Sequence, residues 1–421
     1  MRWRLTSWLL VLPLSVGCMQ NRVAPDPSDA GENIPSLQEG RVVINNDQAE
    51  LNARVDIMAK PLFVVATETP GHEVTPSRKP TGTQLTLRGQ INPPVVNGEY
   101  VHANDIDIAG QTAVVAYNYA GEVFAGAVQV IDFTNPRRPR LLSEVLFIDA
   151  DVTAVLLHGQ TVYVGSGSLD PALESPALIE EFTLSDAGLE RTGRWLDMPS
   201  WVVTDLAQHG NQIMVSVASE GGGIALVDRN AQELSINTFV PEVDVRGIDF
   251  PNESQLAAVC GTNSRLSVKG LPGLGGNGEY PINGYNNEAA KGTIEVHGGV
   301  CYLGAGDGGM QVRGADGTLL GSLNHNDFSD TRPHLMVTNA VSLHGNLAFV
   351  AAGALGVQVV NVAGANGWAQ GGAPDAEGLE VLGELQFGEG ISSNMVKSRN
   401  NVMVVAAGVG GVKLVTMSGN D

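Results

Sequence analysis

Cysteine is nearly absent from this chain: Cys18, Cys260 and Cys301 are the three in 421 residues. No CxxC or CxxCH spacing occurs, so zinc-ribbon and covalent haem readings have no support. Cys260 and Cys301 lie in the apolar runs "LAAVC" and "VCYLG" and are expected as buried free thiols, with a disulfide as the alternative. Basic residues are also scarce, 24 Lys and Arg against 45 Asp and Glu, for a formal charge of −21. Contact with the phosphate backbone needs a basic stripe, so nucleic acid is not an expected partner. The acidic balance suits solubility, a cationic partner or divalent ions. Catalytic signatures are missing too: there is no GxSxG elbow, HExxH helix, P-loop or Rossmann fingerprint, and WD and kelch repeats do not occur.

The apolar run "LTSWLLVLPLSV" is too short to cross a bilayer, and it follows Arg2 and Arg4. It ends at "SVGC", where Gly17 precedes Cys18. That resembles a bacterial lipoprotein signal over residues 1–18, which implies cleavage before Cys18 and lipidation of Cys18 as the new N-terminus. Several acyl chains would hold the protein at a membrane, and Met19 after the cysteine favours the outer membrane if the host has one. Residues 19–83 read as a polar tether followed by an irregular segment. Within it, the stretch from Arg41 to Glu68 is apolar enough to pack on whatever follows.

What the chain has in abundance is glycine, 52 residues, and a repeated line. "LAFVAAGALGVQVVNV" and "VMVVAAGVGGVKLVTM" stand 55 residues apart. Earlier copies are fainter, and turns at Gly110, Gly159, Gly210, Asn252, Gly298, Gly345 and Asn400 mark seven units spaced 42 to 55 residues. Ahead of them stand Ile106, Val155, Leu206, Ile248, Ile294, Val341 and Val396, and apolar residues mostly recur two positions on. Period two means strands. The last unit lacks a fourth strand, whereas "QLTLRGQI" at Gln84 to Ile91 stands unpaired ahead of the first. Pairing the two removes an exposed edge. The expected fold is therefore all-β: a seven-bladed β-propeller of four-stranded blades over residues 84–421, its last blade closed by an N-terminal strand.

"VQVIDFTNPRRPRLLSEV" and "AFVAAGALGVQVVNV" resemble the LVIVD-repeat proteins, with Asp132, Thr134, Asn135 and Pro136 on the family's Asp-x-Ser-Asn-Pro. The resemblance runs from about Gln84 to the end and implies a bacterial secreted or surface propeller, often a lipoprotein. It says little about activity.

Four histidines, His158, His209, His297 and His344, each precede a turn glycine. Equivalent positions in different blades lie too far apart to share a metal, so these read as turn residues. Carboxylates are more informative. Asp105, Asp107, Asp149, Asp151, Asp205, Asp244, Asp249 and Glu295 lie on or just before the innermost strands, where Arg246 and Lys397 could offset their charge. Ca²⁺ at the channel mouth is the cofactor such acids would hold, with no other cofactor expected. "NHNDFSD", with Asn324, Asn326, Asp327 and Asp330, lacks the glycine and terminal glutamate of an EF-hand loop and reads as a turn. The connections between second and third strands are long in units one and two, "YNYAGEVFAGA" and "GSGSLDPALESPA". They place Tyr117, Tyr119 and Phe124 on the face where Asp105, Asp107, Asp149, Asp151 and Asp205 begin the inner strands. Aromatics beside carboxylates on loops suit ligand recognition. The expected function is a surface-anchored module binding a protein or glycan. The alternative is a hydrolase or lyase-type enzyme with a carboxylate-lined, Ca²⁺-assisted site at the channel mouth.

Overall fold

The computed structural model describes residues 37–64, 83–230, 233–285, 290–324, 337–363, 379–388 and 390–419. Cys18 and the signal-like segment lie outside them, as do Asn326, Asp327 and Asp330. Seven antiparallel sheets form a seven-bladed β-propeller, six built on four consecutive strands and the last on three C-terminal strands and one N-terminal strand. The innermost strands are His102–Ala109, Ala150–His158, Val202–His209, Val245–Asn252, Thr293–His297, Ala340–His344 and Met395–Arg399. The seven aliphatic positions that set the repeat, Ile106 to Val396, are all buried, each at most 6% exposed. Alternation then turns the flanking positions toward the central channel.

Tight hairpins join first to second strands. Gly110, Gly159, Gly210, Gly298 and Gly345 have φ between 56° and 61°, and Asn400 has 50°. This is the left-handed conformation that two-residue hairpins require. The doubled "AGxxG" line has a second role. Gly306, Gly353 and Gly408 each form a β-bridge to the start of the next blade, at Thr338, Ser393 and Ala103. Blades 1 and 2, with longer loops here, make no such bridge among the described residues.

The ring closes as expected: Thr83–Ile91 pairs with the C-terminal strand Val412–Gly419 in blade 7. The segment ahead of it is more regular than its composition indicates. Val42–Asn45 adds a fifth strand to the outer edge of blade 1, against Arg140–Phe147. Val55–Leu62 adds a fifth to blade 7. Between them a short helix, Gln48–Asn52, is capped by Asp47, whose side chain accepts from the amides of Ala49 and Glu50. Residues 37–64 thus strap the outside of the molecule across the seam where the two chain ends meet. Arg41 carries the strap on to blade 2. It is 2% exposed and reaches Asp149 at 3.0 Å, Glu180 at 2.6 Å and Asp170 at 3.7 Å.

Cys260 and Cys301 are free and buried, on the second strands of blades 4 and 5. Burial pushes both thiols up to about 12.

Candidate functional site

The central channel opens into a cavity of about 400 Å³. Its wall is built from two tiers of side chains, and both tiers join one blade to the next.

The upper tier consists of donors. Asn104 donates to the carbonyl of Val152, Thr153 to Val203, Thr204 to Val245, Arg246 to Ala290, Thr293 to Asn339, Asn339 to Ser393 and Asn394 to Ala103, at 2.5 to 3.2 Å. Each blade interface receives one such bond, so the belt runs unbroken around the mouth. Strict alternation would turn several of these residues into the wall. In blades 1 to 4 the register shifts at Asn104, Thr153, Thr204 and Arg246, so each is the extra residue of a bulge. A bulge re-aims its side chain, here toward the channel mouth.

The lower tier consists of acceptors. Asp105 takes the amide of Val155, Asp107 that of Leu157, Asp205 that of Ile248, Asp249 that of Val296 and Glu295 that of Leu343, at 2.7 to 3.0 Å. Ser342 takes the amide of Ser398 at 2.9 Å. At the seam, Arg399 donates to the carbonyl of Ile108 at 3.0 Å. Between blades 2 and 3 the corresponding positions are Ala154 and Leu156, both in the apolar cluster that holds Val203. A hydrogen bond to a charged group contributes about 1.5–3 kcal/mol, so the acids are structural staples whatever else they do.

Two lysines face these acids. Lys397 lies 3.3 Å from Glu295. Burial by itself would lower its pKa, but Glu295, Asp249, Asp107 and Asp205 together raise it. Lys291, just before blade 5, reaches across the mouth to the carbonyl of Asn104 and lies 3.9 Å from Asp105. Burial lowers its pKa, partly offset by Asp105 and Asp205. Lys397 compensates the acids as its place on blade 7 implied. Arg246 offsets Asp244 alone of the named acids, pairing with it at 2.9 Å, and its guanidinium also bonds Tyr285. Lys291 was not identifiable in advance, since it sits in a connection with no repeat counterpart. Among the described residues, no three carboxylate, imidazole or thiol groups converge as a metal site.

Asp105, Asp107 and Asp205 therefore share the channel, and the other expected site residues do not join them. Asp149 pairs with Arg41 at the blade 1–blade 2 border. Asp151 accepts the amides of Tyr119 and Ala125 at 3.3 and 3.2 Å, closing the base of the long blade 1 loop, and burial pushes its carboxyl up to about 7. Tyr117 is fully buried within blade 1, where its hydroxyl donates to Gln129 at 2.5 Å. Gln129 in turn donates to Glu144, which pairs with Arg54 of the strap. The expectation that Tyr117 sits in a loop is thus corrected: the second strand of blade 1 runs on to Asn118, and a side chain directed into the blade cannot meet a ligand. Tyr119 and Phe124 are half-buried in the loop itself.

Burial, reinforced by the charge of Asp105, pushes the Asp205 carboxyl up to about 7. A carboxyl whose folded-state pKa exceeds its unfolded one holds its proton better in the folded chain. Its contribution to stability therefore falls as pH rises from about 4 to about 7. Asp205→Asn keeps an oxygen for the Ile248 amide and removes the titration. The variant's urea midpoint is expected to drop less than the parent's between about pH 5 and about pH 8. Equal drops would refute the assignment.

No protein-family profile matches the chain, and no curated protein does. Solved structures do. A chain of the Mitotic Checkpoint Complex is similar with a TM-score of 0.56 and 13% identity, over 83% of this chain and 98% of that one. U3-55K is similar with a TM-score of 0.52 and 11% identity, over 77% of this chain and 98% of that one. At such identities the likeness shows the fold alone.

Proposed function

We propose that the protein is a surface-anchored binding module that docks a basic, apolar protein surface on the face bearing the long loops of blades 1 and 2. The observation that carries this reading is the composition of that face. Val95 and Tyr100 from the connection into blade 1, Val123 and Leu169 from the two long loops, Ile148 between blades 1 and 2, and Val409 from blade 7 are all 43–60% exposed. Topology places these connections side by side on one face of three neighbouring blades. Asn97 bonds the carbonyl of Ile148 at 3.1 Å, and Gly408 bridges Ala103. Glu99, Glu122 and Glu174 are exposed in the same segments, whereas the neighbouring cations, Arg41 and the Lys413 that bonds the carbonyl of Gly410, are buried. Arg137, Arg138, Arg140 and Arg399 are exposed at the opposite face. Clustered apolar side chains rimmed by charge of one sign mark an interaction surface, and the sign selects a basic partner.

The signal-like segment ending at Cys18 and the resemblance to LVIVD-repeat proteins support a lipoprotein at the outer membrane or cell surface. A photo-crosslinking residue at Val123 or Tyr100 is expected to give one discrete adduct in intact cells, lost when Glu99 and Glu122 are both changed to Lys. The same residue at Leu319, exposed on blade 5, serves as control. Matching adducts at all three positions, or none at Val123 and Tyr100, would overturn the reading.

A further inference from the structure

The acids of the channel are not equivalent. Asp107, Asp205 and Asp249 each commit both oxygens to backbone amides: Ile108 and Leu157, Leu206 and Ile248, Phe250 and Val296. Asp105 commits only Oδ2, to Val155. Its Oδ1 faces the Lys291 ammonium across 3.9 Å, beyond hydrogen-bond length. A hydroxyl fits that gap, donating to the carboxylate and accepting from the ammonium.

The surroundings extend the same chemistry. Asn118 accepts from Asn104 Nδ2 at 2.6 Å through its Oδ1, which leaves its own amide hydrogens directed elsewhere. No hydrogen bond engages them among the described residues. His102, paired in register with Asn118, lines the same side of the cavity, and burial lowers its pKa, keeping it neutral. A neutral imidazole offers one donor and one acceptor. Ala120 and Ala218 complete the wall with small apolar surface. Donors and acceptors thus alternate around a matched charge pair, in a cavity of about 400 Å³ that falls in the range of small-molecule sites.

We infer that the blade 1 side of the channel mouth binds a small neutral polyol, a sugar ring or its equivalent, with one hydroxyl between Asp105 and Lys291 and its neighbour on Asn118. A cation is disfavoured because the Lys291 ammonium already stands where it would bind. An anion would meet Asp105 and Asp205. A vicinal diol satisfies the carboxylate, the ammonium and the amide together. This site is distinct from the apolar rim and stands or falls independently of it.

The test is saturation-transfer NMR and calorimetry on the folded chain with a panel of hexoses, N-acetylhexosamines and inositol, each beside an analogue lacking one hydroxyl. At least one panel member is expected to bind, with its deoxy analogue weaker. Asn118→Ala and Lys291→Met are each expected to weaken binding about tenfold, the loss of one hydrogen bond to a polar or charged group. Lys291→Arg, which keeps the charge and the bond to Asn104, controls for folding. Tyr100→Ser on the rim should leave sugar binding unchanged. If no panel member binds at its solubility limit, the mouth holds water only and the inference is wrong. It is equally wrong if binding occurs but neither Asn118→Ala nor Lys291→Met alters it.

Discussion

Lys397→Met is expected to cost about 1.5–3 kcal/mol of folding stability, because it leaves a partly buried group of carboxylates without its counter-ion. The lysine stands 3.3 Å from Glu295 and within the field of Asp249, Asp107 and Asp205. Removing it leaves these carboxylates facing one another in a narrow channel, where like charges without a counter-ion raise each other's pKa. The variant should therefore recover stability on acidification, as the acids take up protons, whereas the parent should not show that recovery to the same extent. Because the folded-state pKa of Lys397 is raised, its own contribution is fully present below the unfolded value near 10.4. That contribution is lost only as pH rises through the folded value. Urea unfolding at several pH values reads both effects. The double change Lys397→Met with Glu295→Gln should restore part of the loss, since the pair leaves together. A single variant as stable as the parent at neutral pH would show that the channel acids do not need this counter-ion.

Arg41→Ala should produce a larger loss with a different signature. Arg41 is 2% exposed, and its guanidinium holds Asp149, Glu180 and Asp170. Glu180 and Asp170 are themselves almost wholly buried, so the substitution strands two carboxylates; truncating one partner of such a set costs about 3–5 kcal/mol. Arg191 still reaches Glu180 at 3.0 Å and softens the effect there. Arg41→Lys keeps the charge but not the planar fork that serves several acceptors at once, so it should recover only part of the loss. The strap should also loosen before the propeller does. Limited proteolysis is then expected to cut between residues 37 and 64 in Arg41→Ala under conditions where the parent is intact. Uncut strap and unchanged unfolding would remove Arg41 from the role assigned to it.

Much of the fold was legible because blade strands repeat their apolar positions with period two, and Ile106, Val155 and their five counterparts could be aligned from turn to turn. The closing strand was legible from an unpaired run at one end and a missing strand at the other. The donor belt was not. It depends on bulges at Asn104, Thr153, Thr204 and Arg246, and a bulge breaks the alternation from which strand faces are read. The acids were identified as channel residues, but their engagement with the next blade's amides is a matter of register between blades, which no local pattern encodes. Asp149 stands just before its inner strand as expected, but its partner Arg41 lies 108 positions away, and Tyr117 lies on a strand that continues past the apparent loop start. Lys291, the residue that distinguishes the mouth, lies 187 positions from the carbonyl it bonds.

The strap has a mechanical consequence. Val42 pairs with Phe147 and Asn45 with Glu144, so the strap's first strand runs down the outer edge of blade 1 from the loop-bearing face. Ahead of it, Gln38 and Arg41 are fixed to Asp170, Asp149 and Glu180 beside blade 2. A force applied through the chain before Leu37, away from that face, acts along the strand axis. It loads the ladder and the buried ion pairs in shear, all at once, instead of peeling them one by one. Under such a load blades 1 and 2 are engaged together, because the strap is fixed to both.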